Sequence, residues 1–119
     1  MSGLEFSHSL KSNREFRRLY AKGKRTVTPF LVVYCRKTKY PQNSLGITVS
    51  TKLGKAVRRN RVRRRLREIY RLNEHRFLRG VNIVVAARVR STTASYRELE
   101  VSFLSACGKL GLLQSETQP

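Results

Sequence analysis

The sequence predicts an α+β fold: one central β-sheet carrying three helices, in the order α-β-β-α-β-α. Three observations predict it. Apolar residues recur at three- and four-residue spacing near residues 13–22, 56–73 and 96–110. Short β-branched and aromatic runs lie between those segments, at "TPFLVVYCRK", "LGITVS" and "VNIVVAAR". A length of 119 residues with 39% apolar content suits a single domain, 1–119, with one modest core. No internal repeat or low-complexity block divides it.

The first helix is expected over about 13–22. "SNREFRRLYAKG" opens with Ser12 and Glu15, the spacing of a capping box, in which each side chain satisfies a backbone N–H at the other position. Phe16, Leu19 and Tyr20 follow at helical spacing, and Gly23 ends the run. "TPFLVVYCRK" then reads as a strand, roughly 29–37. Alternation places Phe30, Val32 and Tyr34 on one face and Leu31, Val33 and Cys35 on the other. "KYPQNS" is a turn, and "LGITVS", 45–50, is a second strand, so an antiparallel hairpin is expected.

Gly54 breaks the chain before the second helix, about 56–73. On it Val62, Leu66, Ile69, Tyr70 and Asn73 form a largely apolar stripe suited to packing on a sheet. "VNIVVAAR", about 81–88, is a buried strand. It and the strand at 45–50 flank the second helix, which makes them candidate parallel neighbours; the usual hand of such a crossover is right. Ser95 and Glu98 match a second capping box. Tyr96, Leu99, Phe103, Ala106 and Leu110 trace the third helix, about 96–110, and the tail, about 111–119, is expected to fray.

Charge narrows the function. The chain has 26 basic and 7 acidic residues, a net +19. Such an excess resists compaction and calls for a polyanionic partner, nucleic acid first and an anionic membrane surface second. "KLGKAVRRNRVRRRLREIYR", Lys52–Arg71, concentrates it: Glu68 is its only acid. A solvated helix normally mixes signs, yet here Arg63, Arg67 and Arg71 stand four apart, each like-charge pair costing a few tenths of a kcal/mol. The stripe Asn60, Arg63, Arg64, Arg67 and Arg71 points away from the apolar one. Guanidinium groups grip phosphates bidentately. The membrane reading fails because the core needs the apolar stripe. A DNA-recognition helix lacks its preceding helix and turn.

Other classes are excluded in turn. The N-terminus has neither a basic n-region nor an apolar h-region, and the longest apolar stretch, Val81–Ala87, is too short to span a bilayer, so a cytoplasmic protein with no membrane partner is expected. Cys35 and Cys107 show no metal or redox spacing and read as reduced core residues. His8 and His75 sit in no ligand or nucleophile pattern. The chain has no Asp, and its acids do not form the carboxylate cluster that metal-dependent phosphodiester cleavage needs. No catalytic residue and no metal site is expected in the protein itself.

"KLGKAVRRNRVRRRLRE" resembles the signature of the bacterial ribonuclease P protein component. The matching positions are Lys52, Gly54, Ala56, Val57, Arg59, Asn60, Arg61, Arg63, Arg64, Arg67 and Glu68, with Arg63 where the family often has Lys. The resemblance extends over nearly the whole chain. It implies a left-handed βαβ crossover through the basic helix, against the usual hand. It also implies an accessory subunit of a ribonucleoprotein endoribonuclease that removes the 5′ leader from precursor tRNA. Catalysis and Mg2+ then belong to the RNA subunit; the protein alone holds no cofactor and needs no obligate protein partner. On this reading Lys55, Arg58, Arg59, Asn60, Arg61, Arg63, Arg64, Arg67 and Arg71 contact the catalytic RNA, chiefly by phosphate and shape. The leader cleft lies between the first helix and the sheet, with Phe16, Tyr20 and Tyr34 matching the family's aromatic positions and Lys52, Arg59 and Arg64 supplying charge. Phe16 on its own spacing reads as core, whereas Tyr20 and Tyr34 suit an exposed cleft. Arg88 and Arg90 are candidate rim charges; Tyr70, Phe77 and Phe103 read as core. The alternative is a structural, ribosomal-type RNA-binding protein.

Overall fold

The computed structural model describes residues 4–114. Its elements are β1 (Ser7–Ser9), α1 (Asn13–Lys22), β2 (Lys24–Val27), β3 (Leu31–Lys37), β4 (Asn43–Thr48), α2 (Ala56–Asn73), β5 (Val81–Ala87) and α3 (Tyr96–Lys109), with short 3-10 turns at Thr51–Leu53, Glu74–Arg76 and Val89–Thr92. The α+β class, the three helices and the strands at β3, β4 and β5 are as the sequence predicts.

The sheet order is β1-β4-β5-β3-β2. The expected parallel pairing of β4 with β5 is present, from Ser44↔Asn82 to Thr48↔Ala86. The expected hairpin between β3 and β4 is not: β5 lies between them, antiparallel to β3 from Leu31↔Ala87 to Lys37↔Val81. The reason is burial. Ile83, Val84 and Val85 are at most 1% exposed, and a strand apolar on both faces belongs at the centre of a sheet. A β3–β4 hairpin would leave it at an edge.

Two strands went unforeseen. β1 runs parallel to β4 over three residues, and β2 pairs antiparallel with β3. Their sequences, "SHS" and "KRTV", are too short and too polar to show a period. Thr28 makes the β2–β3 turn: its hydroxyl donates to the Leu31 carbonyl (2.9 Å) and accepts from the Phe30 and Leu31 N–H groups. β3 therefore begins at Leu31, and Phe30 does not share the Val32/Tyr34 face; it packs on the opposite, larger core.

α2 and α3 cover that larger face. Val62, Leu66, Ile69 and Tyr70 meet Leu31, Val33, Ile83 and Val85 of the sheet and Leu99 and Phe103 of α3. All five residues of the predicted stripe on α2 are buried. The Tyr70 and Phe77 ring centroids are 5.0 Å apart, and Phe103 lies 5.9 Å from Phe77. Cys35 and Cys107 are buried there and unbonded. On the other face α1 lays Leu19 on Leu10 and Val84, with Phe16 and Tyr34 alongside.

Buried polar groups tie the layers together. Asn43 is fully buried. Its Oδ1 accepts from the Gly80 and Val81 N–H groups (2.7 and 3.0 Å), and its Nδ2 donates to the Leu78 carbonyl (2.9 Å) and to the Tyr70 hydroxyl (3.3 Å). Glu74, 3% exposed, accepts from the Glu5 and Phe6 N–H groups and so anchors the segment leading into β1. The Ser95/Glu98 capping box forms in full. The Ser12/Glu15 box does not: no side chain caps α1, and the Glu15 and Phe16 N–H groups bond the Ser12 carbonyl instead, both at 3.1 Å. Residues 111–114, expected to fray, are held: Leu112 is buried, its carbonyl accepts from the Leu78 N–H, and Gln114 N–H donates to the Arg76 carbonyl. The rest of the tail lies outside the described residues.

Candidate nucleic-acid interface

α2 fixes the charge because its apolar stripe is held in the core, leaving the remaining faces no choice but solvent. Lys52, Lys55, Arg58, Asn60, Arg61, Arg64 and Arg67 are exposed, and Arg59, Arg63 and Arg71 partly so. Several are pre-oriented. Arg63 Nη1 donates to Asn60 Oδ1 at 2.8 Å, which leaves the Asn60 amide N–H2 outward. Arg59 Nε donates to the Gly54 carbonyl (3.1 Å). Arg65 turns inward, onto the Ala94 carbonyl (3.1 Å). Arg71 forms a two-point pair with Glu68, at 3.0 and 2.6 Å. It is the only ion pair among the described residues, and the Arg71 hydrogen bond holds the Glu68 carboxyl below the usual carboxylate range. The remaining cations of the stripe keep their charge for a partner.

The aromatic residues predicted for a cleft do come together on the α1 face. Tyr20 and Tyr34 meet edge to face, centroids 4.8 Å apart, a favoured geometry for two rings. The Tyr20 hydroxyl donates to Thr48 Oγ1 (3.2 Å), and the ring is 43% exposed. Phe16 is half-buried and lies over Gly46, where a Cβ would stand only 2.6 Å from Phe16 Cζ. Only glycine permits that approach. An interior strand glycine signals close packing, so this feature was there to be read in "LGITVS".

A cavity of about 220 Å³ joins Phe16, Gly46 and His8 to Arg63 and Arg67. The structure thus brings Arg63 and Arg67 to Phe16, while Tyr20 and Tyr34 do not line this cavity. Lys52, Arg59 and Arg64 do not line that cavity. Lys52 sits in the 3-10 turn beyond β4, Arg59 is held by Gly54, and Arg64 faces solvent along α2. His8 is bonded to Ser44 (3.1 Å). Arg88 and Arg90 turn back on their own chain: Arg88 Nη1 donates to the Thr28 carbonyl (2.8 Å), and Arg90 lies 5.9 Å from the Phe30 ring centroid. Among the described residues no three His, Cys or acidic side chains gather to form a metal cradle, and no helix is long and apolar enough to cross a membrane.

Residues 4–111 match the family model for ribonuclease P. The chain belongs to the ribonuclease P protein family. It is 40% identical over 106 residues to the ribonuclease P protein component of Alkaliphilus oremlandii, spanning 89% of this chain and 93% of that one. To the component of Clostridioides difficile it is 43% identical over 94 residues, 78% and 82% of the two chains. The fold agrees. The RNase P protein of Staphylococcus aureus superposes with a TM-score of 0.82 at 30% identity, covering 89% of this chain and 97% of that one. That of Thermotoga maritima gives 0.75 at 32% identity, covering 82% and 92%. Within the ribonuclease P protein fold, the basic stripe of α2 meets the α1 face at the cavity that Arg63 and Arg67 share with Phe16.

Proposed function

We propose that this chain is the protein subunit of ribonuclease P, docking on the enzyme's RNA through α2 and holding the 5′ leader of precursor tRNA beside α1. The observation that carries this reading is the junction itself: a helix rich in arginines without ion-pair partners among the described residues shares a cavity, through Arg63 and Arg67, with Phe16 of α1. Lys55, Arg58, Arg61, Arg64 and the Asn60 amide then take phosphates and sugars of the catalytic RNA. A single strand suits the cleft, because every base offers a face for stacking and the sugar–phosphate backbone follows the cations. Tyr20, Tyr34 and Phe16 supply the platforms, with Arg63 and Arg67 alongside. Mg2+ and the hydrolytic chemistry, which leave a 5′-phosphate on the mature tRNA and a 3′-hydroxyl on the leader, are assigned to the RNA subunit. The protein's own part is to bind, orient and screen charge.

The test is cleavage of precursor tRNA at low Mg2+ by a bacterial ribonuclease P RNA alone, by the protein alone and by both. Efficient cutting at the mature 5′ end only in the mixture supports the proposal. Binding without any gain in cleavage would leave α2 as an RNA anchor of the ribosomal type.

A further inference from the structure

A second cavity, of about 620 Å³, opens where β2 and β3 meet the start of β5 and the residues after α3. Its size is that of a small-molecule pocket, about 300–1,000 Å³. Lys22, Lys24, Arg36, Lys37 and Arg79 ring it, and no acid lines it. Its wall is apolar, formed by Cys35, Leu78, Val81, Leu110 and Leu112. None of these residues lies on α2 or lines the Phe16 cavity, and the site sits towards the opposite edge of the sheet.

Local geometry gathers the cations. Lys22 and Lys24 flank Gly23, where a Cβ would stand 2.6 Å from the Leu19 carbonyl oxygen and 2.8 Å from that of Cys35. Glycine lets α1 run directly into β2 and sets both lysines beside the end of β3. Lys24 is the cross-strand partner of Cys35, so it shares the face of the cavity wall. Lys37 lies two residues on from Cys35 in β3 and shares that face, whereas Arg36 alternates to the other, and the Arg79 guanidinium lies 4.3 Å from the centroid of Phe6, which is not part of the cavity. Lys22, Lys24 and Lys37 form no ion pair among the described residues. Three lysine charges beside an apolar hollow repel one another unless an anion enters, and an apolar wall beside that rim fits an anion with a flat apolar body.

We propose that this cavity is a nucleotide-binding pocket, with a phosphate on the Lys22–Lys24–Lys37 side and the base against Leu78 and Leu110, the accessible part of the apolar wall. The nucleotide is either a free monophosphate or one residue of an RNA strand. The inference stands on the cavity alone, apart from the assignments made for α2 and the aromatic cleft.

The full chain is titrated with adenosine 5′-monophosphate, an adenosine pentaribonucleotide, inorganic phosphate and hexaglutamate. Amide shifts of Lys37, Gly80, Val81 and Gly111 report on the cavity, as does the alkylation rate of Cys35 measured against Cys107. Saturable shifts and slowed Cys35 alkylation with the monophosphate are expected. Lys24→Gln/Lys37→Gln, both exposed positions, weakens binding about tenfold or more, as removal of charge-assisted hydrogen bonds requires. The charge-matched Lys11→Gln/Arg97→Gln does not. Tighter binding of the pentamer at these same amides marks an RNA-chain nucleotide; equal binding marks a free one. Shifts confined to α2 and the Phe16–Tyr20–Tyr34 cluster overturn the proposal. So does equal binding of phosphate or hexaglutamate at the cavity.

Discussion

Gly46→Ala tests whether the seat of Phe16 is built as described. The added Cβ stands 2.6 Å from Phe16 Cζ and 2.7 Å from Cε1, against about 3.5–4.0 Å for carbon atoms in contact. The ring tip must therefore move by about 1 Å. Overpacking of this kind costs about 1–3 kcal/mol, and the lower end applies because a side-chain tip yields rather than backbone. Against it stands a gain of about 0.4–1 kcal/mol from the reduced freedom of the unfolded chain, since Gly46 has no positive φ to forbid alanine. In a Phe16→Ala background the severe clash is gone and only the tighter approach to Leu10 Cβ, 3.3 Å, stands against the gain, so Gly46→Ala becomes much less costly there. The double-mutant cycle should show a coupling of about 1–3 kcal/mol by urea unfolding. In binding assays Gly46→Ala should weaken precursor tRNA with a leader, by about 1–3 kcal/mol for a displaced stacking platform, and leave leaderless tRNA unchanged. Equal effects of Gly46→Ala in both backgrounds would refute the contact. Equal weakening on both substrates would refute the cleft.

Asn43→Ala strands the Gly80 and Val81 N–H groups without their acceptor; at about 1–3 kcal/mol per buried unsatisfied group, stability should fall by about 2–6 kcal/mol in urea unfolding, and a drop below about 1 kcal/mol would contradict the network. Arg63→Gln and Arg67→Gln should each flatten the salt dependence of RNA binding, by nearly one unit of log–log slope for each phosphate left without its cation, whereas Arg65→Gln, whose guanidinium is bonded to Ala94, should barely alter it. Burial raises both thiols, Cys107 most strongly. In the native protein iodoacetamide should thus react slowly near neutral pH, with Cys35 ahead of Cys107, and quickly in urea. The sign for stability follows: thiols raised on folding favour the folded state below the ordinary thiol value, about 8.5, and stability declines as pH rises beyond it, which thermal unfolding from pH 7 to 10 would record.

What the residues disclosed depended on periodicity and local chemistry. Val62, Leu66, Ile69, Tyr70 and Asn73 repeat along the helix, and α2 was placed to the residue. Ser95 and Glu98 form their box in full, whereas at α1 the Ser12 carbonyl takes the Glu15 and Phe16 N–H groups and the Glu15 side chain lines a polar hollow with His8 and Ser44. Strand partners were less legible. Pairing joins distant segments, and the nearness of 37 to 43 along the chain argued for a hairpin that the burial of Ile83, Val84 and Val85 overrules. The nearness of Tyr20 to Tyr34 follows from α1 packing on the sheet, whereas the cavity that Phe16 shares with Arg63 and Arg67 joins segments far apart in sequence and leaves no local signal.

The position of β5 also orders events in time. It is the last strand to be synthesised, and it alone joins the β1–β4 pair to the β2–β3 pair. Until Ala87 has left the ribosome those two fragments have no common ladder, and each is too small to persist in water. The decisive closure spans a long stretch of chain and is the slow kind. α2 is complete by then, with its apolar stripe still wet and its arginines already on offer. A polyanion that meets the nascent chain finds the charged helix before the sheet exists, and ribonucleoprotein assembly is free to begin on a protein that has not finished folding.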